Sequence, residues 1–281
     1  MIVKALILIV FFALFIGIGL YCRKHATDVD GFVLGGRSVG PRLTAFAYGT
    51  SYFSAVIFVG YAGQFGWRFG IASTWIGIGN ALIGSLLAWV ILGRRTRIMS
   101  QHLDSATMPD FFGKRFDSKA LKIVASAIIF VFLIPYTASL YNGLSRLFAM
   151  AFDIDYSVCI IIMAILTGIY VTAGGYMATA INDFIQGCIM LAGIVIIIAA
   201  VLNTQGGFTA ALEELAHVTD EGAGSVPGVF NSFFGPEPLN LLAVVILTSL
   251  GTWGLPQMVQ KFYAIKSGPA IKQGAIISTV F

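Results

Sequence analysis

Long apolar runs follow one another along the chain, at 2–22, 43–63, 70–92, 120–148, 156–172, 183–202 and 239–263, with an eighth opening near Ala270. Each is near or above the roughly 20 residues that a helix needs to cross the hydrocarbon core of a bilayer. The pattern predicts an all-α membrane protein with seven spans and the start of another. The first run carries Lys4, as a signal peptide would, but it is long and has no small-residue cleavage site before Arg23. It reads as a span.

Two of these runs are broken inside. The second holds Gly49-Thr50-Ser51-Tyr52-Phe53-Ser54 and the seventh holds Gly251-Thr252-Trp253-Gly254-Leu255-Pro256. An unpaired amide or carbonyl in hydrocarbon costs several kcal/mol, so a break at mid-depth survives only where protein or a water-filled cavity supplies partners. Paired interrupted helices in corresponding positions point to the binding site of a secondary transporter.

Charge then sets orientation. Charged residues make up 11% of the chain and hydrophobic ones 58%. Fourteen of the seventeen Lys and Arg residues fall in alternate segments, at 23–42, at 94–122 and from Lys261 at the end of the seventh run onward. The positive-inside rule assigns those loops to the cytoplasm and the N-terminus to the outside of the cell membrane. Segment 203–240 has no Lys or Arg and carries Glu213, Glu214, Asp220, Glu221 and Glu237, which agrees. The pI near 9.0 therefore reports topology and gives no reason to expect nucleic acid as a partner.

The chemistry of enzymes is not visible. Cys22, Cys159 and Cys188 lie within or beside apolar runs without metal spacing or a disulfide framework, and read as buried small hydrophobes. His25, His102 and His217 are scattered over loops. The Gly35-Gly36 pair has neither the preceding strand nor the Lys-Ser/Thr of a phosphate loop, so it is expected to form a tight turn into the second span.

Gly35-Gly36-Arg37 followed by the Gly49 to Ser54 break, Met108-Pro109-Asp110-Phe111-Phe112-Gly113-Lys114-Arg115-Phe116, Thr172-Ala173-Gly174-Gly175 with Asp183 and Gln186, and Trp253-Gly254-Leu255-Pro256 stand in an order that resembles the sodium:solute symporter family. That family includes sodium/proline, pantothenate, sialic acid and sodium/glucose transporters. The resemblance implies two inverted five-helix repeats preceded by one extra helix: 1–22 as the extra helix, 43–202 as the first repeat, and 239–281 as the opening of a second repeat that stops just inside its second helix. It implies sodium as coupling ion and a small organic solute, whether amino acid, carboxylate, sugar or vitamin, carried by alternating access. A chain cut short in this way would not transport by itself. A sensory input module of the same fold is the alternative.

Candidate site residues gather at the breaks. Thr44, Tyr48, Thr50, Ser51, Tyr52 and Ser54, with Tyr61 and Gln64 beyond, form a dense polar set; such hydroxyls either serve a ligand or bond their own helix. Ser51, Tyr52, Ser54, Gln64, Asn142, Trp253 and Gln257 are the expected solute-binding residues, the last two lining a pocket unless the Gly-Pro kink only shapes packing. By resemblance, the backbone carbonyls of Thr50 and Phe53 would hold sodium, and Asp183 would lie on the sodium path near the inner face. Asn182-Asp183 could equally cap the sixth helix. Some proline-transporting members carry an acid where this chain has Tyr52, a departure that argues against proline. Tyr52 would stack on or hydrogen-bond a solute, or fill the core. Lys261 ends the seventh span inside, where it could form a gating pair with an acid.

Overall fold

The computed structural model describes residues 2–53, 61–219 and 226–281, with side chains from residue 6. Among the described residues it is all helical, and strand pairing is limited to one isolated bridge between Val39 and Ile265. The helices are α1 (Ile2–Cys22), α2 (Val29–Leu34), α3 (Pro41–Tyr52), α4 (Ala62–Phe69), α5 (Thr74–Gly79), α6 (Arg94–His102), α7 (Met108–Arg115), α8 (Lys119–Phe152), α9 (Tyr156–Thr204), α10 (Phe208–His217), α11 (Pro238–Gly251), α12 (Pro256–Ala264) and α13 (Gly268–Val280). Between α5 and α6 the helix widens into two π-helical stretches, Asn80–Leu87 and Trp89–Gly93.

Four of the described helices are long and apolar enough to cross a membrane, and a fifth arises if α11 and α12, bent by 53° at their junction, count as one span. This is a multi-pass membrane protein. The count differs from seven at two places. The second expected span runs through residues 54–60, outside the described residues, and Ser54 falls there. The fifth and sixth runs lie in the single 49-residue helix α9.

A straight helix of that length would extend about 73 Å, more than twice the core thickness of about 30 Å. Gly175 divides it, with φ 56° and ψ −150°, a conformation essentially confined to glycine. The polar stretch 173–182 that separated the two runs is therefore helical apart from this one residue, because backbone hydrogen bonding does not require apolar side chains. Asp183 stands inside the helix, which removes the capping role. The three cysteines also divide: Cys22 and Cys159 are buried, but Cys188 is exposed.

The basic loops are tied to one another by their own cations. Gly35, Gly36 and Arg37 all adopt left-handed φ, of 60°, 62° and 54°, forming the expected turn before α3. Arg37 then donates to the Ser105 carbonyl at 3.0 Å, and Arg97 donates to the carbonyls of Ile265 and Lys266 at 2.9 and 2.8 Å. The Val39 bridge fastens the approach to α3 against the end of α12. The starts of α3 and α13 are thus held together on one side of the membrane. Nearby, Thr107 caps α7, and Asp110 joins it to α8 through Lys122 at 2.6 Å while also pairing with Lys114 at 3.1 Å.

Burial opposes the Asp110 charge, but hydrogen bonds and attraction from Lys122 and Lys114 prevail and hold its carboxyl below the ordinary range. The stability this contributes is present above the unfolded carboxyl value, near 4, and is lost as pH falls through the lower folded value. The lysines are 42–50% exposed, so screening keeps the contribution to about 1 kcal/mol or less. Asp110→Asn is expected to lower the thermal midpoint at pH 7 slightly, with the gap from the unaltered protein closing below about pH 4. A gap constant down to pH 3 would refute the assignment.

A Cβ at Gly175 would lie 2.7 Å from the Phe32 carbonyl oxygen, in addition to the backbone strain. Gly175→Ala is expected to cost about 2–3 kcal/mol in detergent unfolding. Gly193→Ala, in the same helix with nothing within 4 Å, should be neutral or stabilising by up to about 1 kcal/mol.

Candidate functional site

The first break is a real end of helix. Pro41 starts α3 and the chain leaves helical geometry at Phe53, with φ −88° and ψ 65°. At the second, α11 tightens into a 3-10 turn at Thr252–Gly254, Leu255 is extended, and Pro256 opens α12. Proline suits that first helical turn because its missing N–H would have no partner there.

The two breaks meet. The Tyr52 hydroxyl, on a side chain only 4% exposed, lies 2.9 Å from the Thr248 carbonyl and 3.1 Å from Asn80 Oδ1. Hydroxyls of Thr248 and Ser249 also reach Asn80 Oδ1, each at 3.0 Å. Tyr48 donates to the Gly84 carbonyl at 3.1 Å, and the Trp253 indole donates to the Ile83 carbonyl at 3.1 Å. The widened stretch from Asn80 is therefore the common wall onto which both breaks fold. Widened turns of this kind recur at functional sites.

Beside this contact lies a cavity of about 180 Å³ bordered by Tyr48, Tyr52, Phe53, Asn80, Ser85 and Thr279, among others. Aromatic faces meet an amide and hydroxyls, a lining suited to a compact solute with polar and apolar parts. Asn80, Ser85, Ser278 and Thr279 were not anticipated as site residues. Asn80 did leave a signal, as the sole amide in the run 70–92.

The expected residues fare differently. Tyr52 and Phe53 border the cavity. Thr50 returns its hydroxyl to the Phe46 carbonyl at 2.8 Å, as Thr44 does to Gly40 at 2.9 Å, so both satisfy their own helix. Ser51 is half-buried on the last turn of α3. Trp253 and Gln257 do not border this cavity; the Gln257 amide atoms are buried with no protein partner among the described residues. Gln64 is exposed on α4. Asn142 is exposed on α8, where it accepts from Arg146 at 2.7 Å and Tyr156 at 3.0 Å, apart from the cluster at the breaks.

Asp183 has a compensating neighbour that lies far off in sequence. Lys261 Nζ lies 3.6 Å from its Oδ2 and 5.1 Å from the centre of the Tyr176 ring, with side-chain exposures of 8% for the lysine and 25% for the acid. Removing one partner of such a buried pair strands the other, which costs more than the intact pair contributes. The neighbouring Asn182 amide is buried without a partner among the described residues.

The sequence compares closely with known proteins over almost its whole length. The model of the sodium:solute symporter family matches residues 32–281. The chain belongs to that family. It is 32% identical over 260 residues to the osmoregulated proline transporter OpuE of Bacillus subtilis (strain 168), covering 92% of this chain and 51% of that protein. It is 35% identical over 265 residues to the sodium/proline symporter of Staphylococcus aureus (strain JH9), covering 92% of this chain and 49% of that one. The chain of this symporter-family member thus spans about half the length of the curated relatives it matches.

A Cβ at Gly84 would lie 1.9 Å from the Tyr52 hydroxyl oxygen. Gly84→Ala is expected to destabilise the detergent-solubilised protein by about 1–3 kcal/mol through overpacking. Adding Tyr52→Phe, which removes the clashing oxygen, should recover part of that loss. Strictly additive losses in thermal midpoint would argue that the ring does not rest on this turn.

Proposed function

We propose that the protein imports a small organic solute with sodium by alternating access across the cell membrane, with its N-terminus outside. The observation that carries this reading is the Tyr52 hydroxyl at 2.9 Å from the Thr248 carbonyl, which joins two helix breaks 196 residues apart beside a cavity. In this reading 1–22 is an extra helix, 43–202 is the first inverted repeat and 239–281 opens the second. Alternating access follows if sodium and solute bind one arrangement of these repeats more tightly than the other.

Thr50 and Phe53 would offer backbone carbonyls to sodium, a hard cation that prefers oxygen. Asp183 would act on the ion's path, where Lys261 is its resting counter-charge. Ser51, Tyr52 and Ser54 would meet the solute at the first break, and Trp253 and Gln257 at the second. The unpartnered Gln257 amide favours that role, since buried polar groups are normally hydrogen-bonded. Gln64 and Asn142 would act where they are exposed, away from the cavity. Proline is named for the two relatives, and Tyr52, standing where some proline-transporting members have an acid, argues for another preferred solute.

The test is uptake into vesicles bearing the protein as its gene encodes it, offered labelled L-proline, glucose, lactate and pantothenate with and without an inward sodium gradient. Accumulation of at least one solute should require the gradient. Asp183→Asn should raise the half-saturating sodium concentration about tenfold, equivalent to about 1.4 kcal/mol. Uptake indifferent to sodium would sink the symport reading, and an unchanged sodium response would remove Asp183 from the ion path.

A further inference from the structure

Asn80 is 3% exposed and stands where α5 passes into the π-helical stretch. Three hydroxyls aim at its Oδ1: Tyr52 from the first break at 3.1 Å, and Thr248 and Ser249, just before the second, at 3.0 Å each. A carbonyl oxygen has two lone pairs. Three donors therefore compete for two places.

Two of the donors have a second choice. Tyr52 can donate to the Thr248 carbonyl at 2.9 Å, and the Thr248 hydroxyl can return to the Val244 carbonyl at 2.9 Å. The same protons thus have more than one arrangement of similar geometry. Tyr52 and Asn80 also both border the cavity, so a ligand there changes which arrangement is best.

We propose that Asn80 is a positioning and specificity residue for the solute, resting on the transport reading above. A hydrogen-bond acceptor on the solute accepts from the Tyr52 hydroxyl, leaving Asn80 Oδ1 to Thr248 and Ser249, one donor to each lone pair. Solute occupancy thereby exchanges the link from the first break to Asn80 for a link to the solute. The class of ligand selected is a compact solute that presents an oxygen acceptor toward Tyr52. No bond is broken and no proton leaves the cluster.

The experiment uses the same vesicles and the member of the panel taken up best. Asn80→Ala should raise the half-saturating solute concentration tenfold or more while moving the half-saturating sodium concentration less than threefold. Asn80→Asp keeps an acceptor oxygen in the same position and should restore solute half-saturation to within about threefold of the unaltered protein. Tyr52→Phe added to Asn80→Ala should worsen it further, because it removes the hydrogen bond that Tyr52 itself makes to the solute.

An unchanged solute half-saturation in Asn80→Ala would overturn the inference. So would equal shifts in solute and sodium half-saturation that Asn80→Asp fails to recover, which is the signature of a packing role, or a Tyr52→Phe addition that leaves the Asn80→Ala value unchanged. These outcomes leave sodium-dependent uptake by the unaltered protein intact. Absence of sodium-dependent uptake for every member of the panel would overturn this inference and the transport reading together.

Discussion

A helix that stops inside a bilayer leaves amides and carbonyls that hydrocarbon cannot satisfy, and this fold is arranged around two such stops. At Phe53 and at Leu255 the backbone leaves helical geometry within otherwise apolar spans. One element covers both. The stretch from Asn80 to Gly93 receives Tyr48 and Tyr52 from the first stop, and Thr248, Ser249 and Trp253 from around the second. Its own geometry follows from that duty: π turns widen it, and Gly84 leaves room for the Tyr52 ring where a side chain would collide.

At the basic loops the same problem is met by charge. Arg37 and Arg97 spend their fork of N–H donors on loop carbonyls, which joins the approach to α3, the end of α6 and the end of α12. Among the described residues, Lys261 and Asp183 form the oppositely charged pair in this region whose side chains are both largely withdrawn from water. Such a pair is weak evidence for stability, because desolvation consumes most of its attraction. Its value lies in geometry: α9 and α12 meet there.

The hydrophobic rhythm, the two interrupted runs and the alternate basic loops were legible from residues alone, because bilayer thickness and backbone hydrogen bonding act on every segment independently of its neighbours. The Gly35-Gly36 turn was legible for a similarly local reason. The capping role open to Asn182-Asp183 and the burial expected of Cys188 failed for one cause, since each judgement needs neighbours that sequence distance conceals.

Tertiary structure alone decided which polar side chains share a site. Asn80 sits 28 residues from Tyr52 and 168 from Thr248, yet its amide oxygen is where they converge. Thr50, of the same polar set as Tyr52, turns its hydroxyl back on its own helix, and Asn142 closes a local pair with Arg146. The sequence by itself determined a membrane-spanning helical chain with two breaks, because those follow from local hydropathy and backbone geometry. Packing decided what the breaks face, because a hydrogen bond is made by proximity in space, and proximity across 196 residues is a property of the whole fold.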